Sequence, residues 1–127
     1  MILVDTDIMI DFLREYPPAL NFLESLGEDE IYIPGFVVME LIQGCRNKSE
    51  LKKLEKELVS YKKIWPSTET CNDALSVFSR FHLSHSLGII DALIGQLAVA
   101  LNLPLHTFNQ KHYAVIPGLR TIQPYQK

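Results

Sequence analysis

The chain has 127 residues, 47% of them hydrophobic and 21% charged, with a formal net charge of −3. That length suits a single domain over residues 1–127 and leaves no room for a second core, while the composition excludes disorder. The acidic balance also excludes the broad positive footprint of a non-specific nucleic-acid binder, so any attraction for a polyanion must be local.

Met1 leads straight into the apolar run Ile2-Leu3-Val4, with no basic segment or cleavage site ahead of it. No apolar run approaches the roughly 20 residues that cross a membrane, so the protein is expected in the cytoplasm with no membrane partner. Cys45 and Cys71 form no CxxC pair and are read as buried, reduced thiols.

In chain order, Ile2 to Val4 has no polar alternation, the pattern of a strand buried on both faces, and it ends in Asp5. A short helix is expected from Asp7 to about Arg14, stopped by Pro17-Pro18, and a second runs through Leu26 to Gly27. Glu30 to Ile33 reads as a strand. Pro34-Gly35 then leads into a helix holding Val37, Val38, Leu41 and Ile42, with Glu40 on it.

Ser49 to Lys63 places Leu51, Leu54, Leu58 and Tyr61 at helical spacing among charges, and Ile64-Trp65 is a short strand before Pro66. Ser67, Thr68 or Glu69 starts a helix carrying Ala74, Leu75, Phe78 and Phe81, and Gly88 ends that stretch. Ile90, Leu93, Ile94, Leu97, Ala98 and Leu101 trace an apolar helical face to Asn102, with Asp91 in its first turn, and Leu105 to Phe108 is a strand. Strands alternating with helices predict an α/β fold with a central parallel sheet covered on both sides. Residues just past strand ends, such as Asp5 and Asn109, then carry the most functional weight.

Asp5, Glu40 and Asp91 each stand among apolar neighbours. Carboxylates gathered at low dielectric need a cation, protonation or basic partners, and a hard divalent ion with oxygen ligands is the simplest of these. Asp5, Asp7 and Asp91 also suit helix capping, and for Asp7 capping is the preferred reading. His82 and His85 sit three apart without an HExxH pattern, so zinc is not expected, and Ser84-His85-Ser86 has no nucleophile elbow around it. His112 and Arg14 are read as surface residues. Arg46, Lys48, Lys52, Lys53, Lys56, Lys62 and Lys63 offer local positive charge diluted by Glu50, Glu55 and Glu57, which describes a solvated mixed-charge helix.

Four segments together resemble the PIN-domain ribonucleases of the VapC toxin family. They are Val4-Asp5-Thr6-Asp7-Ile8-Met9-Ile10-Asp11; Ile33-Pro34 through Glu40-Leu41-Ile42-Gln43-Gly44; Ile90-Asp91-Ala92-Leu93-Ile94-Gly95-Gln96-Leu97-Ala98; and Leu105-His106-Thr107-Phe108-Asn109 through Tyr113, with Pro117-Gly118-Leu119 after it. The resemblance implies a PIN-like α/β/α sandwich and a divalent-metal-dependent endoribonuclease that hydrolyses RNA phosphodiesters as the toxin of a toxin-antitoxin pair. Asp5, Glu40 and Asp91 match the acidic metal ligands for Mg²⁺, with Mn²⁺ as substitute. Asn109 stands where the family has a fourth acid, so a second metal should bind weakly, and Thr6 and Thr107 are supporting residues.

The implied partners are RNA, a cognate antitoxin and a second copy of the chain. The stripe from Leu51 to Tyr61 or the helix around Phe78 and Phe81 would supply dimer contacts unless it packs internally. The alternative is a catalytically weak PIN-fold interaction module, favoured by Asn109. A receiver-like signalling domain would need a cluster of acids after the first strand, an acceptor Asp after the third and a Lys near the last, and this sequence shows no such arrangement.

Overall fold

The computed structural model describes residues 1–127, arranged as five parallel strands and seven helices. In chain order these are β1 (Ile2–Val4), α1 (Thr6–Leu13), α2 (Pro17–Glu24), β2 (Ile31–Pro34), α3 (Gly35–Gln43), α4 (Lys48–Leu58), β3 (Lys62–Ile64), α5 (Thr68–His85), α6 (Ile89–Leu101), β4 (Leu105–His106), α7 (Gln110–Tyr113) and β5 (Thr121–Ile122). The sheet order is β3-β2-β1-β4-β5, all pairs parallel. The chain therefore winds outward from β1 through β2 to β3, crosses back by α5 and α6, and continues on the other side of β1.

Successive strand residues point to opposite faces of a sheet, and Leu3 and Val4 are both fully buried. Helices thus cover both faces of the central strand. Ile31, Ile33 and Leu105 on the flanking strands join them in a core completed by Ile8, Met9, Val37, Ile94 and Leu97. Burial at roughly 25 cal/mol per Å² makes this core the main source of stability.

Helix starts follow local chemistry. Asn47 accepts the Glu50 N–H at 2.9 Å and Ser67 accepts the Thr70 N–H at 3.1 Å, the bonds expected of N-caps. Gly35, at the passage from β2 into α3, lies so close under Trp65 that a Cβ there would run into the indole. That contact seats the start of α3 against the residue that follows β3.

Some boundaries differ from the sequence expectation. The Ser49 to Lys63 helix stops at Leu58, and Lys62–Ile64 is strand β3, because pairing of Lys62, Lys63 and Ile64 with Tyr32, Ile33 and Pro34 outweighs helical periodicity. Tyr61 lies beyond the helix yet is buried, its ring edge-on to Phe12 at 5.9 Å between centroids. With Leu54 and Leu58 also buried, the Leu51 to Tyr61 stripe is consumed by the chain's own core rather than left for a second copy. Strand β4 ends at His106, and α7 and β5 were not expected at all, each being too short to show a period. No helix is long and apolar enough to cross a membrane.

Candidate active site

Winding away from β1 in both directions creates a switch point between β1 and β4, and a crevice opens past the carboxyl ends of strands at such a point. Asp5 is the first residue past β1, and Thr107, Phe108 and Asn109 follow β4. The Asp5 N–H donates to the His106 carbonyl at 3.0 Å, which keeps the two strand ends in register.

Asp5 is buried and caps α1, its Oδ1 accepting the Thr6 N–H at 2.7 Å and its Oδ2 accepting the Thr107 hydroxyl at 2.8 Å. Burial, and then the charge of Asp7, push its pKa up to about 7 against the pull of these two donors. Capping and site membership coincide in this residue.

Asp7 does more than cap. Its Oδ1 accepts the Ile8 N–H at 2.9 Å, while Oδ2 accepts the Phe108 N–H at 2.8 Å and lies 3.3 Å from the Thr107 hydroxyl. Asp7 therefore ties α1 to the loop after β4, and burial raises its pKa despite these bonds. The preference for capping alone understated this residue.

Glu40 reaches the same place from α3, half-buried, with its Oε1 accepting the Thr6 hydroxyl at 2.7 Å. Asp91 enters from the first turn of α6, where a Cβ on Gly88 would stand 3.1 Å from Asp91 Oδ2; the glycine leaves room for that carboxylate. Asn109 is the N-cap of α7 but makes no capping bond with its side chain, and its N–H is spent on Thr107 Oγ1 at 3.0 Å. Its amide is thus available to the crevice.

Asp5, Thr6, Asp7, Glu40, Asp91 and Asn109, with Ile10 and Phe108, line one cleft of about 410 Å³. No lysine or arginine lines it. All four sequence-predicted site residues are brought together, with Thr6 lining the cleft beside them and Thr107 bonded beneath it. The carboxylates share the cleft without any three converging to coordinating distance of one point, Asp5 and Glu40 each being held by its own threonine hydroxyl.

In chemical make-up the lining suits a hard divalent cation: four carboxylates and an amide, with no basic side chain among them. The Tyr113 hydroxyl is buried close by with no hydrogen bond closed. It lies near enough to Asp5 to favour that residue's charged form, and burial together with Asp5 and Asp91 drives its own pKa up.

Sequence reasoning gave Asp7 to helix capping and did not single out Phe108, Ile10 or Tyr113. For Asp7 a signal existed: Asp5-Thr6-Asp7 straddles a helix start, where both acids can turn toward one strand end. Arg14 is exposed and lines a neighbouring groove of about 730 Å³ that shares Ile10 and Glu40 with the cleft, together with Arg46, Lys53 and Glu50. His112 is exposed on α7; the His82 ring bonds the Leu87 carbonyl at 3.1 Å, and the exposed His85 ring bonds the Ser84 hydroxyl at 2.7 Å.

Fold and cleft together define a class: an α/β protein with a carboxylate-lined pocket at the switch point of a parallel sheet. A model of the PIN domain matches residues 2–116, and the chain belongs to the PIN domain family. It is 32% identical over 123 residues to Ribonuclease VapC10 of Mycobacterium tuberculosis, covering 94% of this chain and 91% of that protein. Ribonuclease VapC19 of the same organism is 30% identical over 94% of this chain and 98% of its own length. Among solved structures, a toxin-antitoxin complex from Klebsiella pneumoniae superposes with a TM-score of 0.78 at 25% identity, covering the whole of both chains. VapBC2 from Rickettsia felis, bound to a DNA fragment from its promoter, gives 0.78 at 26% identity over 96% of this chain and 98% of that one.

Proposed function

We propose that this protein is a divalent-metal-dependent endoribonuclease, hydrolysing RNA phosphodiester bonds as the toxin of a toxin-antitoxin pair. The observation that carries this reading is the gathering of Asp5, Asp7, Glu40 and Asp91 in one cleft with no basic side chain to pair them. The printed names of the relatives, ribonucleases and toxin-antitoxin complexes, support it.

In this reading Asp5 and Asp91 would hold Mg²⁺, or Mn²⁺ in its place, with Glu40 and the Asn109 amide as further oxygen donors. When bound, such a cation offsets charge developing on the phosphate and lowers the pKa of the attacking water. Glu40, held by the Thr6 hydroxyl at 2.7 Å, would orient a water and take its proton as the water oxygen bonds to phosphorus and the P–O bond to the leaving ribose oxygen breaks, that oxygen taking up a proton in turn. Thr6 and Thr107 fix the carboxylates that do this work. A cognate antitoxin and a second copy of the chain are the proposed protein partners. Exposed Leu75, Leu83 and Ile89 on α5 and α6, rather than the buried α4 stripe, support the second.

A second reading, a catalytically weak interaction module of the same fold, is favoured by Asn109 in place of an acid. Cleavage of a mixed RNA pool by antitoxin-free protein separates the two, run with Mg²⁺, with Mn²⁺ and with chelator, beside Asp91→Asn purified identically. Cation-dependent cutting that disappears in the folded variant is the expected result. Equal cutting by both identically purified proteins overturns the assignment of Asp91 as a metal ligand, and silence from both supports the module.

A further inference from the structure

Residues 123–127 fold back onto the rim of the acidic cleft. Asp11 follows Asp7 by one helical turn on α1, and its Oδ2 accepts the Tyr125 hydroxyl at 2.7 Å and pairs with the Lys127 ammonium at 3.0 Å. That ammonium also stands 4.5 Å from the centroid of the Phe108 ring, against which Tyr125 packs edge-on at 4.8 Å. Phe108 lines the cleft and its N–H donates to Asp7 Oδ2 at 2.8 Å.

A cleft walled by carboxylates, in a chain of net charge −3, repels an RNA strand at every phosphate except one held by a cation. Lys127 meets that need at the rim. Its side chain is 48% exposed while Asp11 is 14% exposed, so a largely buried carboxylate anchors a lysine that keeps access to solvent. It has three donors, of which Asp11 Oδ2 takes one. The lysines of α4 lack such an anchor: Lys52, Lys53 and Lys56 are exposed among Glu50, Glu55 and Glu57.

We propose that Lys127, anchored on Asp11 and Phe108, binds a phosphate of the RNA strand next to the scissile one. This rests on the nuclease reading for its substrate.

The test compares wild type with Lys127→Met, Lys127→Arg and Tyr125→Phe in two assays. One is steady-state cleavage; the other is binding of a fluorescent single-stranded RNA with Ca²⁺ across a salt series. Lys127→Met should raise KM and Kd severalfold with kcat little changed. Its log–log salt slope should fall by about 0.7, the share of one single-strand phosphate contact. Lys127→Arg should restore both, and Tyr125→Phe should keep the wild-type slope. Wild-type KM and slope in Lys127→Met overturn the proposal. So does Tyr125→Phe reproducing its loss with no rescue by arginine, since Lys127 would then only order the segment. If wild type binds RNA and never cuts it, the nuclease reading falls and the slope alone judges Lys127. If it neither binds nor cuts, both fall.

Discussion

The Thr107 hydroxyl donates to Oδ2 of Asp5 at 2.8 Å, joining two side chains 102 positions apart in sequence. Both residues follow adjacent strands, so the pairing of β1 with β4 sets the bond. Thr107 is fully buried, lies 3.3 Å from Asp7 Oδ2 and accepts the Asn109 N–H at 3.0 Å. With a single proton to give, the hydroxyl favours Asp5, and it organises three site residues at once.

Thr107→Val keeps the shape and removes that hydroxyl. Asp5 loses a donor that favours its charged form, and the part-buried Asn109 N–H loses its acceptor. Calorimetric titration with Mn²⁺ should show affinity lower by about tenfold, at the mild end for loss of a ligand-orienting bond. Wild-type affinity in a folded variant would mean that Thr107 does not prepare the site.

Asp5 links stability to pH. Its pKa is about 7 in the fold against 3.8 for an ordinary carboxyl. A group raised on folding contributes stability that is fully present below the unfolded pKa and is lost as pH rises through the folded one. In metal-free protein that loss falls between about pH 4 and about pH 7, and it amounts to a few kcal/mol on the order-of-magnitude scale of about 1.4 kcal/mol per unit. Asp5→Asn can still accept the Thr6 N–H but carries no charge. Thermal melts should therefore find the variant more stable than wild type near pH 8 and the difference shrinking toward pH 5, with Mn²⁺ raising only the wild-type Tm. Parallel curves for the two proteins would show that Asp5 is ionised freely in the fold.

Asn109→Asp adds a fifth carboxylate to the cleft at a position whose side chain makes no capping bond. A charged oxygen in place of a neutral one should strengthen binding of a second divalent ion. Stoichiometry should move from one Mn²⁺ toward two, with the metal-free protein destabilised by the added repulsion. An unchanged titration would remove Asn109 from the ligand set.

The central strands and larger helices were legible because their residues report burial directly. Ile2 to Val4 is apolar throughout as a strand covered on both faces must be, and Ile89–Leu101 shows helical spacing over three turns. Asp5, Glu40 and Asp91 stood out as acids in apolar company. The α4 end was misplaced because Tyr61 keeps helical spacing with Leu58 while packing on Phe12 from beyond the helix. Asp7 resisted reading because one side chain both bonds a helix-start N–H and reaches the Phe108 N–H, and only the second bond depends on the fold.

The amino-acid sequence by itself determined the alternation of buried strands and amphipathic helices, and with it a parallel α/β sheet and a set of acids too costly to bury without purpose. Tertiary structure decided which donors those acids meet. Thr6 with Glu40, Thr107 with Asp5, Phe108 with Asp7 and Lys127 with Asp11 are pairs separated by 34 to 116 residues, each made by the crossing of elements. Periodicity encodes which side of an element faces inward, and such local patterns carry no record of what will stand opposite.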